Sequence, residues 1–493
     1  MKRLPSLILL LVATASLQAQ PAELREFSNT QGIKIKARLV SSTNGQVTIV
    51  REDGRQFTLP LASLSAADQE FIKKSAPPAG AAVAGMSAVP LKAGPNDKLP
   101  PDKVNEVLGL PLFGDAALWA SPAADVASKL GLKRESETKV QSSFRSYPKD
   151  EAKLFGAHPY SIALYADEGK VTSISMVFAN KGDLFSSKGS AEMHFDKNTP
   201  PEEAAKLLAT AMKKDIDAVT ATLKGTLGEP QKQRFGDGEA RRNVFRWDWR
   251  GHSILLSETE GEYVGVQIET AAFADSGGKM KRTPEDIVRA RVKANVETRP
   301  GGDVVINDLP MVDQGPKGYC VPATAERAMR YLDVPADMYV LAMAGNTGFG
   351  GGTSVSTLLE GVGRDIKRKG RTFDSWRGEL KIKEIARHID KGVPIIWGIY
   401  STKEFNATAN KRTSERKTVS DWAAWKAKVT AEAATNSLPP DTEKGHVVLI
   451  MGYNKETNEI AFSDSWGERY KERWITIPEG EKISQQSFYV VGF

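Results

Sequence analysis

The N-terminal part of the chain shows a hydrophobic pattern with a period of two. Apolar residues occupy every second position from Ile33 to Leu39, which predicts a strand with one buried face. Asn44-Gly45 and Asp53-Gly54 follow, and such pairs predict hairpin turns between antiparallel strands. Ser65 then predicts the N-cap of a short helix. Residues 24–75 are therefore predicted to form a small β domain.

A second segment, residues 101–275, shows both the strand and the helix period and predicts an α+β domain. An alternating stretch around Asp167–Gly169 predicts a hairpin, Thr199 predicts a helix start with a capping box, and residues 243–269 predict a meander of three strands. Apolar residues recur at helical spacing after the helix start: Leu208, Met212, Val219 and Leu223. No catalytic pattern is visible in this domain. Residues 76–100, rich in Ala, Pro and Gly, are predicted to be a linker.

The remaining residues, 283–493, predict a third domain that also combines helices and strands. A helix is predicted to begin at Cys320, because apolar residues follow at helical spacing and Pro322 suits the first helical turn. The apolar run "HVVLIMGYN", which opens at His446, predicts a buried strand. His388 lies near the end of another predicted helix, which favours a helix-capping cation over a catalytic base.

Residues 1–19 predict export. Lys2 and Arg3 precede an apolar run from Leu7 to Leu17, which is typical of a secretory signal peptide and too short to cross a membrane. No other stretch is long and apolar enough to suggest a membrane span. The net charge of +6 is too small to indicate binding to nucleic acid. We therefore expect a secreted or periplasmic protein, and the lack of disulfides suits a bacterial source.

Cys320 is the only cysteine of the chain, so an internal disulfide is excluded. A single cysteine in an exported protein indicates intermolecular pairing or a reactive thiol, and a buried cysteine acting as a small hydrophobe is the alternative. Gln314 precedes it in a glycine-containing turn, where its amide can donate to an oxyanion beside the thiol. His446 can act as a base, Asp464 can orient it, and Trp466 can cover the contact between them from water.

The combined pattern resembles that of the papain-like cysteine peptidases. Its elements are a glutamine six residues before a cysteine at a helix start, a much later Gly-His before an apolar strand, and the run Asp-Ser-Trp-Gly. The pattern is most similar to the C39-like group, which implies an α+β peptidase fold for residues 283–493. The resemblance implies that Cys320 is the nucleophile and His446 the base. It also implies that Asp464 orients His446, and that Gln314 and the amide of Cys320 form the oxyanion hole.

Further residues of this region are expected to contact the substrate. The run "GFGGGTS" resembles the glycine-rich wall along which such enzymes bind an extended substrate, which implies a binding role for Gly350, Gly351 and Gly352. A plain turn before the next helix is the alternative. Trp466 is expected to line the same site. Asp464 stands where papain has an asparagine, and an amide oxygen accepts the same ring N–H, so we expect Asp464→Asn to keep most activity.

Residues 24–75 resemble the Sla1-homology-1 type of SH3-like domain in the segments "REFSNTQGIKIKARLVSS" and "VREDGRQFTLPLASLSAADQEFI". The resemblance implies a small all-β barrel that contacts a protein partner or a peptide. An inert spacer is the alternative. The expected architecture is therefore multidomain, with this barrel followed by the linker, the α+β middle domain and the C-terminal peptidase domain.

Taken together, these features predict an exported cysteine peptidase that hydrolyses peptide bonds in a peptide or protein substrate and uses no cofactor and no metal. The alternative is a catalytically inactive protein of the same fold that binds peptides or proteins in the envelope or outside the cell. The basic segment "DSGGKMKR" just before residue 283 also favours a processing site. Cleavage there would release the C-terminal domain from the middle domain.

Overall fold

The computed structural model describes nine ranges of the chain: 24–30, 34–43, 46–51, 56–75, 96–114, 117–149, 151–186, 194–280 and 282–493. The predicted signal peptide, most of the predicted linker and both predicted hairpin turns of the N-terminal β domain lie outside these ranges. The chain divides into two compact units, Met1–Leu91 and Lys92–Phe493.

The N-terminal unit is an antiparallel sheet of four strands followed by one helix. Its elements are β1 Arg25–Ser28, β2 Lys34–Thr43, β3 Gln46–Arg51, β4 Gln56–Pro60 and α1 Ala66–Ser75. The strands pair in chain order, and Phe27, Val47 and Ile49 bury their side chains beneath Ile72 of the helix. The predicted helix start at Ser65 is confirmed, since its hydroxyl accepts from the Asp68 amide. Closure of this sheet into an SH3-like barrel stays a prediction.

The first part of the second unit is built around an antiparallel sheet of eight strands. Its elements are α2 Pro101–Leu108, α3 Ala123–Lys129, β5 Lys133–Glu137, β6 Gln141–Ser146, β7 Ser161–Asp167, β8 Lys170–Asn180, α4 Lys181–Leu184, α5 Pro201–Leu227, β9 Gln231–Phe235, β10 Arg242–Trp249, β11 His252–Thr259, β12 Tyr263–Thr270 and α6 Ala271–Asp275. The strand order is β5-β6-β7-β8-β12-β11-β10-β9, and we call this part the middle region.

Most local predictions for the middle region are confirmed. The hairpin turns at Glu168 and Gly169, both with positive φ, and the three-strand meander is β10–β12. The predicted capping box at Thr199 is wrong. The helix begins after Pro200 without a side-chain cap, because the Thr199 hydroxyl instead donates to the Asp196 carbonyl at 2.6 Å. The Thr199 hydroxyl therefore stabilises a local turn and does not cap the helix.

The second part, which we call the C-terminal region, contains a sheet of eight strands with helices around it. Its elements are α7 Glu285–Ala294, β13 Val296–Thr298, β14 Asp303–Ile306, α8 Cys320–Tyr331, α9 Met338–Ala344, α10 Val355–Gly361, α11 Gly363–Arg368, β15 Thr372–Arg377, α12 Ile382–Ile389, β16 Ile395–Tyr400, α13 Lys403–Arg416, α14 Trp422–Thr435, β17 Gly445–Asn454, β18 Glu459–Ser463, β19 Arg473–Thr476, α15 Ile477–Ile483 and β20 Ser484–Gly492. Strands β13-β14-β17-β16-β20-β15 pair in that order, and β18 and β19 continue from β17.

Two faces of the middle sheet have different partners. Val264, Val266 and Ile268 alternate toward the core that α5 covers. Tyr263, on the opposite face of the same strand, belongs to a cluster that includes Tyr319 of the C-terminal region. The C-terminal region therefore covers the face of the middle sheet that α5 leaves open. No helix of the described residues is both long and apolar enough to cross a membrane.

Candidate active site

Cys320 is the first residue of α8. Its side chain is partly exposed, and the amide N–H groups of Val321 and Val447 point at the sulfur. Burial acts to raise the pKa of the Cys320 thiol, but the hydrogen bond and positive charge of His446, together with these amides, lower it below its usual value. A thiol at a helix start beside an imidazole is in the setting that favours the thiolate.

His446 lies at the start of β17 and links the thiol to a carboxylate. Its Nε2 is 2.6 Å from Oδ1 of Asp464, and its side chain is hydrogen-bonded to Cys320. Since Nε2 is used by the carboxylate, Nδ1 is the nitrogen that faces the sulfur. Burial acts to lower the pKa of His446, but the bonds to Asp464 and Cys320 raise it to about 9. The indole of Trp466 stacks on the imidazole with ring centroids 4.6 Å apart and covers it from solvent.

Asp464 is fully buried and follows the last residue of β18. One carboxylate oxygen accepts a hydrogen bond from Nε2 of His446. The other accepts from Nη2 of Arg473, which is itself buried in β19. Burial acts to raise the pKa of Asp464, but Arg473 and His446 hold it below its ordinary value. The Arg473 guanidinium also donates to Asn406 at 2.9 Å.

Sequence reasoning missed Arg473. An arginine in a short strand is usually at the surface, and only the pairing of β18 with β19 brings it to Asp464. Its presence gives the Asp464 carboxylate two partners, the His446 ring and the Arg473 guanidinium.

Gln314, in the turn six residues before Cys320, is held at both its backbone and its side chain. Its amide N–H donates to the Ser465 carbonyl at 2.9 Å, and its side-chain Nε2 donates to the Lys317 carbonyl at 2.9 Å. The side-chain NH₂ therefore retains one further proton, while Oε1 is buried and has no partner within the described chain. The amide of Cys320 donates to no other described residue. That these two donors stabilise an oxyanion beside the sulfur stays a prediction.

The glycine run packs against the turn that precedes Cys320. Gly318 and Gly351 form a parallel bridge, and a side chain on Gly351 would meet the Gly318 backbone at 2.4 Å, so this close approach requires glycine. The amides of Gly350, Gly351 and Gly352 all donate to carbonyls of the protein. Pairing of an extended substrate with these residues stays a prediction, and it would have to use carbonyl oxygens or replace these bonds.

His388, the other histidine of the C-terminal region, has a packing role in the structure. His388 lies in the last turn of α12 and stacks on Trp376 with ring centroids 5.2 Å apart. Burial and the nearby Lys391 and Arg387 lower its pKa, which disfavours the predicted role as a helix-capping cation. Within the described ranges, no group of three or more His, Cys, Asp or Glu side chains is arranged to hold a metal ion.

The assembled groups can form a thiolate–imidazolium pair. The Cys320 sulfur, the His446 ring and the Asp464 carboxylate are linked in that order by hydrogen bonds. The lowered pKa of the thiol and the raised pKa of the imidazole favour a negative sulfur next to a positive ring. Such a pair is able to attack an acyl carbon and then return a proton to the departing group.

A family model matches the part of the chain that contains these residues. Residues 306–491 match the model of the Peptidase_C39 like family. No curated protein gives a significant match. Among solved structures, the peptidase domain of Streptococcus ComA, described as a bifunctional ABC transporter involved in a quorum sensing pathway, aligns with a TM-score of 0.24 and 12% identity over 37% of this chain and 96% of that chain. The resemblance that the sequence pattern indicated is thus found by the family model as well: residues 306–491 are similar to the Peptidase_C39 like family.

Proposed function

We propose that the protein is a cysteine peptidase that hydrolyses peptide bonds through Cys320, His446 and Asp464. The observation that supports this most is the position of the His446 ring. It bridges the thiol at the start of α8 and a fully buried carboxylate, and its pKa of about 9 keeps it protonated beside the sulfur at neutral pH.

The reaction follows from these groups. The Cys320 thiolate attacks the scissile carbonyl carbon, and the carbonyl electrons move to oxygen, where Gln314 and the Cys320 amide donate to the oxyanion. When the C–N bond breaks, His446 gives its proton to the departing amine, and a thioester to Cys320 remains. Water, deprotonated by His446, attacks the thioester and releases the acid and the thiol.

The test is cleavage of a diverse peptide library by the purified protein, with fragments identified by mass spectrometry. The wild type should produce new N-termini, and Cys320→Ala should produce none while keeping its melting temperature. His446→Ala should lose activity as severely. Peptide binding without cleavage by the wild type would instead favour a binding protein of the peptidase fold and would overturn the proposal.

Export and partner binding are part of the same proposal. The sequence of residues 1–19 supports removal of a signal peptide and a secreted or periplasmic location. The sheet of residues 24–75 supports a domain that contacts a protein or peptide. N-terminal sequencing of the mature protein tests the first point, since an N-terminus at Met1 would contradict export by cleavage. Pull-down with residues 24–75, compared with the chain lacking them, tests the second.

A further inference from the structure

The segment that carries the candidate oxyanion donors is bonded to the middle region along its length. The amide of Asp313 donates to Oε1 of Glu135 in β5 at 2.9 Å, and the Tyr147 hydroxyl donates to the Asp313 carbonyl. At the other end, the ring of Tyr319 lies on the backbone of Gly182, where a side chain would meet it at 2.5 Å. Residues 313–319 are therefore held between two contacts with the middle region.

Lys317 lies at the centre of this segment and is almost completely buried, with 1% of its surface exposed. Its ammonium pairs with Oδ1 of Asp183 in α4 at 3.3 Å. Three tyrosine rings face the same ammonium, with their centroids 4.7 to 5.6 Å away: Tyr147, Tyr319 and Tyr339. A lysine in such a place is costly unless it is paired, and burial lowers its pKa.

The backbone of Lys317 also holds the side-chain amide of Gln314, the group proposed to donate to the oxyanion. The carbonyl of Lys317 accepts from Nε2 of Gln314 at 2.9 Å, and this is the bond that fixes the side-chain amide, because Oε1 has no partner in the described chain. A movement of Lys317 would therefore move or release the Gln314 amide. Asp183 is thus connected to Gln314 through Lys317, by an ion pair to its ammonium and a hydrogen bond to its carbonyl.

We propose that Lys317, anchored by Asp183, is a positioning residue for the oxyanion hole, and that the middle region is in this way a required part of the catalytic site. The role rests on the proposed function, because it concerns the stabilisation of an oxyanion. It also argues against the hypothesis of a processing site before residue 283, since cleavage and release of the middle region would remove Asp183 from Lys317.

The first test is Lys317→Met, compared with Lys369→Met. Lys369 is a buried lysine that pairs with Asp237 of the middle region at 2.7 Å and contacts no residue of the site, so it reports the effect of losing an ion pair between the two regions. Lys317→Met should lower kcat on the order of tenfold or more, with little change in KM. Its rate of alkylation by iodoacetamide should equal that of the wild type, because alkylation forms no oxyanion. Lys369→Met should leave both rates unchanged.

The second test is a double-mutant cycle with Gln314→Ala. If Lys317 acts through Gln314, Lys317→Met should lower kcat in the wild type but have almost no further effect in Gln314→Ala. If the losses of kcat in Lys317→Met and Gln314→Ala multiply in the double variant, the proposed role is overturned. An equal loss of kcat in Lys317→Met and Lys369→Met would overturn it as well.

The double variant Lys317→Met/Asp183→Asn separates a loss of stability from a loss of oxyanion positioning. Removing both charges should restore the melting temperature toward that of the wild type but should not restore kcat. Recovery of kcat along with stability would contradict positioning. If the wild type cleaves no peptide at all, the proposed function fails and the oxyanion role fails with it, and hydrogen exchange then decides whether Lys317 positions residues 313–320. Faster exchange of the amides of residues 313–320 in Lys317→Met than in Lys369→Met supports it, and equal exchange overturns it.

Discussion

The substitution Asp464→Asn should be far more damaging in this protein than the sequence alone predicts. The amide of an asparagine has one accepting oxygen and one donating NH₂. Because Arg473 donates to the second oxygen of residue 464, the asparagine oxygen would turn toward the guanidinium, where the bond is charge-assisted. Its NH₂ would then face Nε2 of His446.

The consequence is a change in the protonation of the imidazole. Nε2 would have to accept a hydrogen bond rather than donate one, so the single proton of the neutral ring would lie on Nδ1, the nitrogen that must take the thiol proton. In the serine-peptidase triad, the wrong tautomer costs about 10⁴-fold in kcat. We expect Asp464→Asn to lose at least about a hundredfold in kcat/KM, and Asp464→Ala, which leaves the ring free to choose its tautomer, to lose about tenfold or somewhat more.

The same substitution should also shift the pH dependence of kcat/KM. The pKa of His446 is raised to about 9 from an ordinary value near 6.5. Because the raised pKa keeps the ring charged, activity should persist until pH rises through about 9. Asp464 and Cys320 share this effect, so loss of the carboxylate charge should move the basic limb of the kcat/KM profile on the order of one to two pH units lower.

The assay is the pH profile of kcat/KM for the wild type, Asp464→Asn, Asp464→Ala and the double variant Asp464→Asn/Arg473→Met. Removing the guanidinium frees the asparagine oxygen for His446 and leaves no buried charge unpaired, so the double variant should recover at least part of the activity lost in Asp464→Asn. If Asp464→Asn keeps more than half of the wild-type activity, or if the double variant is no better than the single one, the tautomer reasoning is refuted.

Three further predictions follow from the same contacts. The Cys320 thiol should titrate below the free value of about 8.5, and an iodoacetamide rate whose midpoint lies at or above that pH would contradict activation. Trp466→Ala should expose the His446–Asp464 bond to water and lower kcat/KM several-fold, whereas Trp466→Phe, which keeps a stacked ring, should remain close to wild type; equal losses would show that stacking is not the reason. The isolated fragment 283–493 should be inactive or aggregate, because it exposes the apolar surface around Tyr319 that the middle sheet covers. Full activity of a soluble fragment would contradict this.

The residues of the candidate site that lie within continuous patterns could be predicted from the sequence. Cys320 was predicted at a helix start and His446 at the opening of a buried strand, because helical spacing and the apolar run are local signals. The helix begins at Cys320 and the strand at Gly445, beside His446. The pairing of Asp464 with His446 needed only the order of the residues and the resemblance to a family.

The remaining parts depend on contacts between distant segments. Arg473 reaches Asp464 only through the pairing of two short strands, and Lys317 meets Asp183 across more than a hundred residues. No periodicity marks either pair. The middle region showed no catalytic pattern for the same reason, since its contacts with the site are made by residues such as Asp183 that are unremarkable in sequence. The failed cap at Thr199 has a local cause, the competing bond to Asp196.

Covalent labelling by a peptidyl acyloxymethyl ketone tests the central claim most directly. This probe alkylates a thiolate that a neighbouring imidazolium activates within a peptide-binding site. The purified protein should take up one equivalent at Cys320, shown by intact mass and peptide mapping, and labelling of His446→Ala should be slower by at least about a hundredfold. Unchanged labelling in His446→Ala, or no labelling of a folded wild type across several peptide sequences, would contradict the account.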